Sequence, residues 1–227
     1  LGVAGIGESA SGRQSVSLRG QSVVGGLRAI AGHRSHWRPG RLSRSTLCLL
    51  AVSSRRIFRY EGGQRWTVLP VPFGKRVEAM CVYDGQLFAS SYDEGHVYRF
   101  DGQAWVDCGQ VGPPENTQTY SFVIYAGRLY VGTWNTGRVY RYDDDNRWSD
   151  VGRLGQELEV MGMMVHNGKV YAGSLPQAEV YRFDGADNWK RLAVLDSTPD
   201  VKYRRAWTMA EFQGRLFCGT LPSGRVW

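Results

Sequence analysis

The sequence predicts an all-β chain built from repeated four-stranded antiparallel units, and three observations carry that expectation. One motif recurs as Val97-Tyr98-Arg99-Phe100, Val139-Tyr140-Arg141-Tyr142 and Val180-Tyr181-Arg182-Phe183, with Ile57-Phe58-Arg59-Tyr60 as an altered earlier copy. Each copy passes through a Gly- or Asp-rich turn into a tryptophan, and Trp66, Trp105, Trp148 and Trp189 follow one another at intervals of 39, 43 and 41 residues. A second motif precedes the first: Tyr83-Asp84-Gly85-Gln86-Leu87-Phe88-Ala89-Ser90 is matched by segments beginning at Tyr125, His166 and Phe212. A period near 40 residues is that of repeat architectures, and four short antiparallel strands per repeat describe a β-propeller blade. A two-sheet sandwich also uses short strands, but no fixed period comes with it.

The elements follow in chain order within each repeat. Asp84-Gly85 and Asn167-Gly168 are two-residue hairpin signals, because Asn, Asp and Gly tolerate the positive φ of primed turns. An apolar strand therefore precedes each turn and a second follows it. The Val-Tyr-Arg-aromatic motif supplies the third strand, with β-branched and aromatic residues alternating against arginine. Asp101-Gly102, Asp143-Asp144 and Asp184-Gly185 then turn the chain into a fourth strand that carries the tryptophan.

Laid out this way, the repeats occupy 47–227 and give about four to five blades. Thr46 to Leu69 supplies the second to fourth strands of a first blade, and full blades follow at about 77–109, 119–152 and 160–195. The stretch 206–227 is expected to hold three strands. The chain begins with Leu1 and reaches Trp227 in mid-repeat, so a fragment of a longer propeller is expected.

Net charge is +7, which on its face invites a nucleic-acid or acidic-membrane reading. Its distribution argues against that. Residues 1–46 carry seven arginines and a single acid, Glu8, so the tail accounts for +6 and the repeats for +1. This Arg-, Ser- and Gly-rich segment is expected to be a disordered tail, a linker or a targeting segment of transit-peptide composition. No run of about 18 apolar residues exists, so no helical membrane span is expected. Cys48, Cys81, Cys108 and Cys218 form no CxxC pair and read as small buried hydrophobes. The histidines form no metal constellation and no glycine loop of phosphate-cradling type follows a strand, so neither metal nor cofactor is expected.

The unit resembles the blades of kelch-like and Asp-box (BNR, sialidase-type) propellers. The kelch likeness lies in the strand ending in glycine and in the Tyr142 to Trp148 spacing; Gly132-Thr133, Gly173-Ser174, Gly219-Thr220 and Ser90-Ser91 stand where kelch has a glycine doublet. The Asp-box likeness lies in Asp143 to Trp148 and Asp184 to Trp189, five apart, with Asp101 to Trp105 only four. Arg99, Arg141 and Arg182 occupy the place of that family's Ser or Thr. The resemblance implies a propeller scaffold; sialidase-type relatives would imply a glycoside hydrolase whose catalytic residues lie partly outside this sequence.

In a four-stranded blade, the loop between strands two and three and the link to the next blade emerge on one face, the mouth. Tyr92, Asp93, Trp134, Asn135 and Gln177 fall in such loops, and Arg204, Arg205 and Trp207 in or beside a link. Aromatic faces with polar neighbours suit a protein segment or a carbohydrate. Arg59, Arg99, Arg141 and Arg182, repeated on one strand type, and the four tryptophans are expected to be structural. Glu157, Glu159, Asp93, Glu94 and Asp200 are available as carboxylates, but no spacing selects a catalytic pair. The expectation is a non-catalytic scaffold that binds a partner protein or carbohydrate through its mouth loops.

Overall fold

The computed structural model describes residues 48–50, 56–69, 71, 76–92, 94–144 and 146–227, with 48–50 described as strand only. The tail 1–46 and Asp93 lie outside the described residues, as does the side chain of Cys48. The chain divides into two compact units, Leu1–Val77 and Glu78–Trp227. Among the described residues every regular element is a strand.

In the first unit, β1 (Cys48–Leu50), β2 (Ile57–Gly62) and β3 (Arg65–Leu69) pair in that order, antiparallel, with Tyr60 opposite Trp66. The second unit begins with β4 (Val77–Tyr83), β5 (Gln86–Ser91), β6 (His96–Phe100) and β7 (Trp105–Gln110), one four-stranded sheet. The next blade is β8 (Gln118–Tyr125), β9 (Arg128–Trp134), β10 (Arg138–Tyr142) and β11 (Trp148–Arg153). It is followed by β12 (Glu159–His166), β13 (Lys169–Leu175), β14 (Glu179–Gly185) and β15 (Asn188–Val194). A single pair, Glu159 opposite Trp134, joins these two blades into one eight-stranded sheet.

The last repeat differs from the expectation of three strands. It has β16 (Arg205–Phe212) and β17 (Arg215–Leu221), and the third-strand segment contributes one bridge, Val226 opposite Gly219. Three residues, 225–227, are too few for a ladder. Their register is nevertheless that of the full blades, where Val97 faces Ser90, Val139 faces Gly132 and Val180 faces Gly173.

The third strands are buried on both faces, since side chains of successive residues point to opposite sides of the sheet. Val97, Val139 and Val180 of the repeated motif are buried, as are Tyr98, Tyr140 and Tyr181. The tryptophan at the head of each fourth strand packs on the aromatic facing it: Tyr60–Trp66 at 4.9 Å, Phe100–Trp105 at 5.1 Å, Tyr142–Trp148 and Phe183–Trp189 at 5.0 Å. Such pairs contribute about 0.5–1.5 kcal/mol beyond their burial. The indoles also reach backwards. Trp148 Nε1–H donates to the Cys108 carbonyl at 2.9 Å and Trp189 Nε1–H to that of Val151 at 2.8 Å, each three residues past the previous blade's own tryptophan. These two hydrogen bonds fasten the blades of Trp148 and Trp189 to the ones before them.

Cys81, Cys108 and Cys218 are free and buried. Burial pushes the Cys218 thiol up to about 11 and raises those of Cys81 and Cys108, so all three stay protonated near neutral pH.

Candidate functional site

The loops after β5, β9, β13 and β17 and the links between blades meet at one end of the strands. The links 111–117, 154–158 and 195–204 each carry one buried polar side chain that holds the loop of the following blade. Asn116 accepts from Thr136 Oγ1 at 2.6 Å, and Glu157 accepts from Ser174 Oγ at 2.6 Å and from the Gln177 amide at 3.0 Å. Asp196 accepts from the Ser223 amide at 3.0 Å and from the amide and hydroxyl of Thr198. All three residues are at most 3% exposed. Backbone bonds complete the lock: Gly137 N–H to Leu158 O at 2.8 Å and Arg204 N–H to Pro176 O at 2.9 Å. The mouth loops therefore sit on a rigid frame, which is what a binding surface needs.

These frame residues respond differently to burial. Burial raises the Glu157 carboxyl above its ordinary value, against the pull of its hydrogen bonds from Ser174 and Gln177. Burial also works to raise Asp196, but the donors on Thr198 and Ser223 outweigh it and hold the carboxyl well below the usual carboxylate range.

On this frame the structure assembles an aromatic and cationic cluster. Trp134, at the end of β9, stands edge-on to Tyr203 of the link before β16, centroids 6.3 Å apart. Trp207 on β16 stands edge-on to Tyr120 on β8 at 6.2 Å. Between them, the Arg205 guanidinium lies 5.5 Å from the Tyr203 ring and 5.7 Å from that of Trp207, and Lys202 Nζ lies 4.9 Å over Tyr203. Trp207 is 39% exposed. A guanidinium stacked on aromatic faces keeps its N–H edge for an oxygen acceptor.

The eight mouth residues singled out by sequence thus separate. Trp134, Arg205 and Trp207 come together. Gln177 and Arg204 bridge one another instead: Arg204 Nη1–H reaches Gln177 Oε1 at 3.2 Å and its Nε–H the Thr198 carbonyl at 2.7 Å. Asn135 is exposed beside Trp134, and Tyr92 lies in the loop after β5, where its carbonyl accepts from the Glu94 amide. Tyr120, Tyr203 and Lys202 also belong to the cluster; they stand in or beside the links that the blade pattern places at the mouth, but carry no motif. The repeated arginines sit at the opposite end of the strands. Arg141 pairs with Asp143 at 2.7 Å, Arg182 with Asp184 at 2.8 Å and Arg59 with Glu61 at 2.7 Å.

No protein-family model matches the chain, and no curated protein matches it in sequence. Its backbone is similar to solved structures. Virginiamycin B lyase from Staphylococcus aureus superposes with a TM-score of 0.63 at 11% identity, over 82% of this chain and 66% of the lyase. The extracellular domain of BT4673, a putative one-component system from B. thetaiotaomicron, gives 0.61 at 14% identity, over 79% and 25%. YCF48 bound to D1 peptide gives 0.53 at 16% identity, over 78% and 59%. The fold is a β-propeller. The chain spans less than two thirds of the length of each of these three propellers, which include an enzyme and a peptide-binding protein. Among the carboxylates of this propeller, Glu157 and Glu159 flank the mouth link but are 2% and 6% exposed.

Proposed function

We propose that the chain is a non-catalytic propeller scaffold whose mouth binds a segment of a partner protein, with acidic side chains on the segment meeting Arg205 and Lys202. The single observation that carries this reading is the stack of Tyr203, Arg205 and Trp207, with Trp134 beside it, on a frame locked by Asn116, Glu157 and Asp196. Aromatic residues and arginine are the side chains in which interface energy concentrates. That YCF48, of like fold, takes a peptide supports the reading. A carbohydrate is the second reading, because the indole faces of Trp134 and Trp207 also suit a sugar ring. The burial of Glu157 and Glu159 supports a scaffold over a sialidase-type hydrolase. Within the propellers we favour an Asp-box kinship, supported by the corner at Asp143, whose carboxylate takes Arg141 Nε–H and Ser149 Oγ–H.

The test is a peptide array and a glycan array probed with the wild-type chain and with Trp134→Ala, Arg205→Gln and Trp207→Ala. Binding to acidic peptides, weakened about tenfold or more by each substitution, is the expected result. Binding that all three variants retain would remove the mouth as the site, and glycan binding alone would favour the second reading.

A further inference from the structure

At the opposite end of the strands, a cleft of about 310 Å³ opens, lined by Tyr83, Gln86, Phe88, Arg99, Tyr142 and Asn146, with Asp84 and Asp144 also on its wall. Its origin is a one-residue difference between repeats. Where the motif arginine is followed by an Asp five residues before the tryptophan, the Asp pairs with it, as in Arg141–Asp143 and Arg182–Asp184. In the β6–β7 turn the spacing is four, and the tighter turn draws the Asp101 carboxylate onto its own backbone, accepting from Gln103 N–H at 2.8 Å and Ala104 N–H at 3.0 Å.

Arg99 is left without that partner. Its Nη1–H donates to Gln86 Oε1 at 2.7 Å, a neutral side chain at a position held by Arg128, Lys169 and Arg215 in the other repeats. Its Nε–H is buried and has no acceptor among the described residues. A guanidinium so placed, neither paired with a described carboxylate nor fully hydrogen-bonded, is a site of unmet positive charge. Beneath it three rings pack edge to face, Phe88 on Tyr142 at 5.5 Å and on Tyr83 at 5.8 Å, and Tyr83 on Tyr142 at 6.5 Å; Phe88 and Tyr142 are 1% and 6% exposed, so the partly exposed Tyr83 is the ring that fronts the cleft.

We propose that this cleft binds a small monoanionic carboxylate on a flat apolar body, its oxygens on the Arg99 guanidinium and its body against Tyr83. The rim acids select the charge. Asp144 is already engaged by Arg128 at 3.6 Å, but Asp84 has no described partner and repels a dianion such as a phosphate monoester more than a carboxylate.

Titration calorimetry of the 227-residue chain with benzoate, phenyl phosphate and benzylamine tests this. Benzoate should bind in preference to both others. Arg99→Gln should weaken it about tenfold or more, while Arg141→Gln, whose guanidinium is neutralised by Asp143, should leave it unchanged. Gln86→Glu keeps the arginine but supplies an internal carboxylate, and should abolish binding without unfolding the chain; it decides the matter if Arg99→Gln fails to fold. No benzoate binding, preference for benzylamine or phenyl phosphate, or binding that survives Gln86→Glu would overturn the proposal.

Discussion

Asp196 shows how much a single side chain does at the mouth, since it ties the link after β15 to the loop after β17 through Thr198 and Ser223. Its folded-state carboxyl lies below the ordinary 3.8, so its contribution is present above about pH 4 and is lost as the pH falls through the acid range. Thermal unfolding followed from pH 7 to pH 3 should show the wild type losing more stability on acidification than Asp196→Asn; parallel profiles would contradict the assignment. Nothing in the sequence marks Asp196, because the same role falls to Asn116 and Glu157 in the earlier links, with a different residue type and spacing each time. Ala126 is the reverse case, a residue whose place in the repeat betrays its conformation. It holds φ 47° in the hairpin turn where Asp84 and Asn167 hold 48° and 46°. Asn tolerates that region better than Ala, so Ala126→Asn should raise the denaturant midpoint by an equivalent of about 0.5–1 kcal/mol.

At the scale of elements, blades were legible because hydrophobic period and turn chemistry repeat, and β4 to β15 fall within a residue or so of the expected bounds. What the repeat did not reveal is what happens where it is broken. The link at 195–204 is longer than those at 111–117 and 154–158, and it delivers Tyr203 to the mouth, while the shortened Asp101 turn isolates Arg99. Close approach between blades was legible only as a conserved spelling within the chain. Gly132 and Gly173 stand two residues before the ends of the second strands, where the next blade's first strand passes: a Cβ on Gly173 would lie 2.2 Å from the Ala206 carbonyl oxygen. Gly173→Ala should therefore cost about 1–3 kcal/mol in chemical denaturation. Gly219→Ala, where the nearest atom would be Thr208 Cγ2 at 3.5 Å, should stay within about 0.5 kcal/mol.

For the molecule as a whole, the second unit is a row of blades in which the two carrying Trp148 and Trp189 are each fastened to their predecessor by an indole hydrogen bond, and on which the loops after β9, β13 and β17 are each locked by one buried polar group of the preceding link. Function on this account lies in what the rigid frame presents, not in the repeated residues themselves. The fastening is measurable directly as hydrogen exchange of the indole N–H groups in a nitrogen-15 correlation spectrum. Trp148 and Trp189 should exchange far more slowly than Trp207 and Trp227, which are 39% and 49% exposed. Exchange of Trp148 and Trp189 as fast as that of Trp227 would contradict the stacking of blades on which the mouth depends.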